Sequence, residues 1–285
     1  MLFKIHHTTR YLYSQPVFLE PHRVRLHPRQ DRSQITDHFQ LDITPSPAGC
    51  SEGLDEENNS FLLLWFEGLH ESLEIKTTAE VRTTRTNPFE GILTDHAESL
   101  PLQLNAEQDT ILRPCLELDD PYNPKERQAV MTLANEIQQK AEGQTLDFLG
   151  RLNAHLHQTI HKVDRRDPGI QTVHETLSTG RGACRDLAVV FISVCRHMHI
   201  PARFVSGYQQ GNPDEPFRDL HAWAEVFLPG FGWRGYDPTH GLAVIDGHVA
   251  VTASALPGNT APVTGSFRGT GASAQLDHTV TIETH

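Results

Sequence analysis

A glycine-rich turn that leads into a long apolar helix limits what this chain can fold into more than any other stretch. The segment reads Gly-Arg-Gly-Ala-Cys-Arg-Asp-Leu-Ala-Val-Val-Phe-Ile-Ser-Val-Cys-Arg-His-Met and runs from Gly180 to Met198. From Cys184 onward, large apolar residues recur at the three- and four-residue spacing of one helix face, and the opposite face is also mostly apolar. A helix of this kind is buried on nearly all sides, so the fold must enclose it.

Cys184 stands at the predicted start of this helix. Free backbone N–H groups and the positive end of the helix dipole converge there. This setting lowers the pKa of a thiol and favours the nucleophilic thiolate. Gly180 and Gly182 allow a close backbone approach in front of the cysteine. The pattern predicts a reactive cysteine, and the alternative interpretation is a buried structural thiol.

A His and an Asp that suit such a cysteine follow downstream, between Asp219 and Thr239. The segment reads as a strand, a Pro-Gly turn and a second strand. The hairpin brings Asp237, at the end of the second strand, close to His221, at the start of the first. An Asp can fix the tautomer of a His, and a His can take the proton of a Cys. A core histidine and a turn carboxylate are the alternatives for His221 and Asp237.

These motifs resemble the transglutaminase-like superfamily. The resemblance rests on Gly-x-Gly-x-Cys-x-Asp before the helix and on three later segments, which read IPARFVSGY, HAWAEVFLPGFGW and YDPT. It runs almost unbroken from Leu177 to Gly241. The start of the chain, with HTTRYLYSQPV followed by RLHPR, resembles the N-terminal domain of the bacterial branch.

The resemblance implies a papain-like core with Cys184 as nucleophile, His221 as base and Asp237 as the residue that orients the base. It also implies thioester chemistry on an amide, as a peptidase, an amidase or a transglutaminase. The prediction is a peptidase or amidase, because a wet, open groove in a bacterial-type, cytoplasmic member favours hydrolysis. Transamidation of protein glutamine by the same triad is the first alternative, and a non-catalytic peptide-binding module is the second. A peptide or protein substrate is expected in each case.

The fold predicted for the whole chain is of the α+β class. An N-terminal antiparallel β-sandwich spans residues 1–86, because short strands alternate there with turn signals. A connecting segment rich in proline follows at 87–123, and the transglutaminase-like catalytic core with C-terminal strands spans 124–285. The sandwich strands are predicted at residues 3–12, 17–26, 38–43, 60–66 and 73–81.

Within the core, Asn123 is predicted to cap a helix that begins at Pro124, with Glu126 completing a capping box. A second helix begins at Thr145. Residues 242–251 are predicted to form a final hairpin, and residues 275–281 a closing edge strand. Residues 209–218 are rich in Gly, Pro and acidic residues and predict an exposed loop.

Composition excludes several classes of partner. A formal net charge of -12 argues against a nucleic-acid partner, which needs clustered Lys and Arg. The longest apolar run, residues 61–66, is too short to cross a membrane. The N-terminus lacks the apolar region of a signal peptide, and the four cysteines lack the spacing of a disulfide framework. A cytoplasmic location is therefore expected.

The 18 histidines raise the question of a metal site. His157 and His161 stand four residues apart, as in zinc hydrolases, but those enzymes have a Glu directly after the first His. Gln158 occupies that position here, and no third ligand is evident. A solvated helix face explains these histidines better, so no metal and no cofactor is predicted.

Overall fold

The structure is a computed structural model, and it describes residues 1–94, 97–118, 123–165, 169–211 and 218–285. In chain order its elements are β1 (Leu2–Leu19), β2 (His22–Val24), β3 (Gln34–Thr44), β4 (Gly49–Leu54), β5 (Ser60–Trp65), β6 (His70–Thr83), α1 (Ala106–Leu112), α2 (Pro124–Lys140), α3 (Thr145–Thr159), β7 (His161–Lys162), α4 (Val173–Thr179), β8 (Arg181–Gly182), α5 (Cys184–His197), β9 (Ala202–Gln209), β10 (His221–Leu228), β11 (Gly232–Asp237), β12 (Leu242–Ala243), β13 (His248–Ser254), β14 (Val263–Thr264), β15 (Phe267–Arg268) and β16 (Ala274–Thr284).

The fold is of the predicted α+β class, with a β-sandwich followed by a core in which α5 packs on an antiparallel sheet. One sandwich sheet has the order β15-β1-β6-β3, with β16 also paired to β1, and the other has the order β14-β2-β5-β4. Apolar residues alternate along the strands and meet between the sheets, where Val17, Leu64 and Ile75 are fully buried. Alternation of this kind is what the sequence predicted for the N-terminal region.

Two strands of the sandwich differ from the prediction. β1 continues to Leu19, with a register shift between Leu12 and Val17, so the predicted strand at 17–26 is divided between the end of β1 and β2. β4 was not predicted, because its Gly, Cys, Ser and Glu residues have low strand propensity. It forms as an edge strand held by pairing with β5.

The C-terminal strands return to the sandwich. β16 pairs with β1 from Phe3 opposite Thr284 to Tyr13 opposite Ala274, and β15 extends the same side of β1. β14 pairs with β2 in the other sheet. The predicted edge strand is therefore present and pairs with the sandwich along its length, while the Arg218 N–H, just before β10, donates to its Val280 carbonyl at 2.9 Å. The boundaries at 1–86, 87–123 and 124–285 stay predictions.

The connecting segment contains an α-helix, α1, that was not predicted because the prolines around it interrupt any helical pattern in the sequence. α1 begins after Asn105, whose side chain accepts the Gln108 N–H at 2.8 Å while the Gln108 side chain accepts the Asn105 N–H. This capping box stabilises a short helix in a region without apolar periodicity. Residues 95–96 and 119–122 of the segment lie outside the described part of the chain, as do residues 212–217 of the predicted loop.

The helices of the core begin close to where they were predicted. Asn123 caps α2 by accepting the Lys125 N–H at 3.1 Å, and Pro124 occupies the first helical position. Glu126 does not complete the predicted capping box, because its carboxylate accepts the His174 N–H of α4 instead. The carboxylate thus links two helices. None of the helices in the described ranges is long and apolar enough to cross a membrane.

The sheet of the core has the order β12-β11-β10-β9-β13, and all its neighbours are antiparallel. The predicted hairpin at 242–251 is wrong, because β12 pairs with β11 and β13 pairs with β9 at the opposite edge. Through the antiparallel pairs of this sheet β12 and β13 run in the same direction, so the turn at Asp246-Gly247 joins two strands at opposite edges and not the two arms of a hairpin.

α5 lies at the centre of the core. Every residue from Asp186 to Arg196 is buried, as the apolar pattern on both faces predicted. The helix packs against Ala222, Ala224 and Val226 of β10 on one side and against α2 and α3 on others. Cys184 begins α5 and His221 begins β10, so this packing brings the two residues to the same end of the core.

Candidate active site

The turn before Cys184 is held by its own backbone and by one buried carboxylate. Gly180 ends α4 in the left-handed conformation, at φ +62°, which favours glycine. Ala183 is the N-cap of α5, and its N–H donates to Asp186 Oδ2 at 2.8 Å. Cys184 is therefore the first residue of the helix, as predicted, where backbone N–H groups have no intrahelical carbonyl partner.

Asp186 has a structural role at this site. Its carboxylate is fully buried, and it also accepts the Arg165 guanidinium at 2.6 Å and the Gln171 N–H at 2.8 Å. Three donors from three parts of the chain thus meet on one side chain. This arrangement fixes the helix start against the segment that precedes α4.

The hairpin of β10 and β11 brings His221 and Asp237 together as predicted. Ala224 pairs with Tyr236, which leaves Asp237 diagonally across from His221. The Nε2–H of His221 donates to Asp237 Oδ2 at 2.8 Å. The other carboxylate oxygen accepts the N–H groups of Thr239 and His240 at 3.0 and 3.3 Å. Asp237 is fully buried, so its orientation is fixed by these bonds.

Cys184 and His221 form the other half of the triad. The imidazole of His221 and the backbone N–H of Ala222 lie close enough to the sulfur to lower the pKa of the thiol. Burial would raise the pKa of the Cys184 thiol, but the hydrogen bond and charge of His221 outweigh burial and lower that pKa. The shift has the direction that the sequence predicted for this position, toward a more readily formed thiolate.

The carboxylate of Asp237 raises the pKa of His221. Burial would lower the pKa of His221, but the charge and hydrogen bond of Asp237, together with Cys184, raise it to about 10. Burial would also raise the pKa of Asp237, but the positive charge and hydrogen bond of His221 hold it well below its usual range. The interactions among the three side chains therefore all act in the direction of a thiolate, an imidazolium and a carboxylate.

Two histidines near the triad were not predicted. The Nε2–H of His248, the first residue of β13, donates to Asp237 Oδ2 at 3.0 Å. The ring of His240 lies 5.2 Å from that of His221, measured between centroids. His240 follows the Asp-Pro-Thr motif directly, which was a usable signal. Nothing in the sequence near His248 indicates its contact, since it depends on the order of the strands.

One group of side chains in the described ranges has the composition of a metal site. The ligand atoms of His221, Asp237 and His240 all lie within 4.8 Å of one another. The first two already form the hydrogen bond of the triad. The two histidines that raised the zinc question are not part of this group. His157 contacts the Thr239 carbonyl at 3.0 Å, and His161 lies in β7, beyond the end of α3, so the two do not share a helix face.

Two tryptophans and a second cysteine of the core have structural roles. Trp223 is fully buried between β10 and β13, and Trp233 stacks under the Arg203 guanidinium at 3.9 Å. Cys195 lies in the middle of α5, where burial raises the pKa of its thiol well above the usual range. Its environment contrasts with that of Cys184, which is partly exposed.

Two family models match the chain, and their positions agree with the fold. The bacterial transglutaminase-like N-terminal region matches residues 3–82, which form most of the sandwich. The transglutaminase-like superfamily matches residues 131–238, which include Cys184, His221 and Asp237.

Individual relatives agree with these matches. An uncharacterized protein of Mycobacterium leprae (strain TN) is 24% identical over 296 residues, which cover 98% of this chain and 97% of the relative. A protein-glutamine gamma-glutamyltransferase of Pseudomonas aeruginosa is 33% identical over 138 residues, which cover 45% of this chain and 20% of the relative. The crystal structure of a proposed cysteine protease from Cytophaga hutchinsonii superposes with a TM-score of 0.73, at 21% identity over 99% of this chain and 90% of that one.

The structural match supports the fold, and the two family models fall on the sandwich strands β1 to β6 and on the core from α2 to β11. The residues that carried the sequence resemblance also lie in the matched ranges. The chain belongs to the transglutaminase-like superfamily and carries the bacterial N-terminal region ahead of the superfamily core.

Proposed function

We propose that this protein catalyses cysteine-dependent acyl transfer at amide carbonyls through a thioester on Cys184. The observation that carries the proposal is the position of His221 between the other two side chains. Its Nε2–H is bonded to Asp237 at 2.8 Å, which leaves Nδ1 for the sulfur of Cys184. A nucleophile, a base and a residue that orients the base are therefore in contact in the order the chemistry needs.

The first step is the attack of the Cys184 thiolate on the carbonyl carbon of a peptide or carboxamide. A C–S bond forms, and the electron pair of the carbonyl moves onto its oxygen. The backbone N–H of Cys184, in the first turn of α5, is suited to donate to this oxygen. A donor of this kind typically contributes about 3–4 kcal/mol to the transition state.

The second step expels the amine. The His221 imidazolium gives its Nδ1 proton to the leaving nitrogen, the C–N bond breaks, and the carbonyl re-forms as a thioester on Cys184. Asp237 keeps the other ring nitrogen protonated throughout, so the neutral ring presents Nδ1 as a base. His221 then takes a proton from the incoming nucleophile, which attacks the thioester and releases the thiolate.

Water is the nucleophile that we favour, which makes the protein a peptidase or amidase. Cys184 is partly exposed, so water has access to the thioester. A primary amine as the second nucleophile would give transamidation. That alternative is supported by the similarity over 138 residues to a protein-glutamine gamma-glutamyltransferase. A peptide or protein substrate suits both reactions, and a cytoplasmic location stays a prediction of the sequence.

A binding module without catalysis is the remaining alternative. A groove that only binds peptides has no need of an ionised sulfur. The lowered pKa of Cys184 and the buried carboxylate behind His221 therefore favour an enzyme.

Alkylation by iodoacetamide tests the reactive cysteine without a known substrate. Cys184 should react well below the pH at which an ordinary thiol reacts, and Cys184→Ala should abolish this labelling. Cys195 serves as the internal reference, because it is buried in the same helix and should stay unlabelled in the folded protein. A rate for Cys184 that follows that of an unperturbed thiol would support the binding module.

A library of glutamine-containing peptides distinguishes the two reactions. The peptides are supplied with and without a labelled primary amine, and Cys184→Ala is the matched control. Cleavage or ammonia release without incorporation of the label indicates hydrolysis. Incorporation of the label indicates transamidation and would contradict the preferred assignment.

A further inference from the structure

The carboxylate of Asp237 is shared by two imidazoles. The Nε2–H groups of His221 and His248 donate to the same oxygen, Oδ2, at 2.8 and 3.0 Å. A carboxylate is an acceptor only, so both rings must carry hydrogen on Nε2. The triad assigned above accounts for His221 and leaves the second imidazole without a role.

The ring of His248 is held so that this bond is its one polar contact. His248 is 5% exposed, and its Nδ1 is buried without a hydrogen-bond partner among the described residues. Trp223 packs edge-on against the ring, with centroids 5.2 Å apart and planes at 70°. The backbone is fixed by the pairing of His248 with Gln209 in β9. Burial of an imidazole with one unpartnered nitrogen lowers the free energy of unfolding, so the single hydrogen bond that the ring does make calls for a function.

The N–H groups of His221 and His248 share one oxygen of the Asp237 carboxylate, Oδ2. Backbone N–H groups of Thr239 and His240 occupy Oδ1, which fixes the position of the carboxylate along its turn. On Oδ2, the N–H of His248 takes one acceptor direction and leaves the other to His221. Without His248, the His221 ring could follow the carboxylate oxygen over a wider range of directions, and its bond would be less well aligned.

We propose that His248 is a positioning residue that holds Asp237 Oδ2 in the direction needed to orient His221 toward Cys184. The inference rests on the proposed cysteine-dependent function and adds a fourth side chain to its machinery. The other ionisable groups around this carboxylate are His221 and His240, and Cys184 lies beyond His221. The ring of His248 lies 6.2 Å from that of His221, measured between centroids, and its hydrogen bond goes to Asp237, so its polar effect on His221 passes through that carboxylate.

The test follows the titration of the His221 ring by long-range 1H–15N NMR in three variants. His248→Met keeps the bulk and removes the donor, and the titration midpoint of His221 should fall by about one pH unit. His248→Gln keeps an N–H at a similar reach and should retain the midpoint within about 0.3 of a unit. His7→Met, at a buried histidine outside the site, should leave the midpoint unchanged.

The outcomes separate this inference from the proposed function. If the wild-type His221 ring titrates near its ordinary value and Cys184 alkylates like a free thiol, the proposed function fails. If the wild type behaves as expected but His248→Met leaves the midpoint unchanged or raises it, only the positioning role is overturned. A raised midpoint would mean that the His248 N–H chiefly shields the carboxylate charge.

A measurement on the wild type covers the case in which His248→Met does not fold. The same spectra report which nitrogen of each neutral ring carries hydrogen. His248 should be the Nε2–H tautomer, with a proton that exchanges slowly because it is buried and bonded. An Nδ1–H tautomer, or an Nε2 proton that exchanges as fast as in a free histidine, would overturn the inference.

Discussion

Replacement of Asp237 by Asn removes one charge and almost no volume, which makes it the sharpest test of the site. The carboxylate accepts four N–H donors, two on each oxygen. An amide offers one oxygen and one NH2 group, so two of the four donors must face another donor. If the oxygen stays with the backbone N–H groups, the NH2 group faces the imidazoles of His221 and His248.

The expected effect on His221 follows from the causes of its pKa. Burial alone lowers the pKa, and Asp237 is the first of the groups that raise it to about 10. A neighbouring charge of this kind is worth about 1–3 pKa units, so the pKa should fall to about 7–9 in Asp237→Asn. The equivalent loss of ion-pair stabilisation is about 1.4–4 kcal/mol. The neutral ring should also change to the Nδ1–H tautomer, which cannot take a proton from Cys184.

Long-range 1H–15N NMR measures both effects on the ring itself, whereas alkylation reports only the sulfur. Two donors that lose their acceptor should also lower the free energy of unfolding by about 2–6 kcal/mol, measured with urea. Asp219→Asn is the matched control, because Asp219 also accepts an imidazole N–H, from His278 at 2.7 Å, but is 74% exposed. An unchanged His221 midpoint in Asp237→Asn, or an equal shift in Asp219→Asn, would refute the reasoning.

Three further substitutions test the elements that position the site, each by urea unfolding. Gly207→Ala should destabilise the fold by about 1–3 kcal/mol, because its Cβ would overlap the Val249 carbonyl oxygen. Gly258→Ala is the control, since a Cβ there meets nothing within 4 Å, and it should change stability by less than about 0.5 kcal/mol. Arg196→Met should lower the free energy of unfolding by about 2–4 kcal/mol, because the buried guanidinium donates to three backbone carbonyls. An unchanged midpoint of urea unfolding would contradict this expectation. Asp186→Asn should lower the free energy of unfolding by a similar amount and also slow the alkylation of Cys184. A variant that is destabilised but alkylates at the wild-type rate would show that Asp186 stabilises the fold without positioning Cys184.

The sequence predicted the triad because its determinants are local. Cys184 is marked by the glycines before it and by the apolar helix after it, and both are readable over a few residues. His221 and Asp237 are joined by a hairpin whose turn is explicit in the sequence. The structure brings all three together where the sequence predicted, and their catalytic role stays the proposal made above.

The parts that were missed depend on contacts between distant segments. The turn at Asp246-Gly247 predicted a hairpin, because a turn signal does not show which neighbours satisfy the strands on either side. β13 instead pairs with β9, about 40 residues earlier, and β16 pairs with β1 at the other end of the chain. α1 was missed for another reason. Its capping box can be read from the sequence, but the helix has no apolar periodicity that would have marked it.

The same long-range pairing explains why the fourth side chain of the site could not be predicted. Asp237 and His248 lie on β11 and β13, with β10 and β9 between them. Directly across from His221 stand Gly207 of β9 and then Ala250 of β13, and neither carries a side chain larger than a methyl group. The position that a side chain on Gly207 would take is filled by the ring of Trp223, which packs edge-on against His248. The order of the strands, more than any motif, therefore decides which histidines share Asp237.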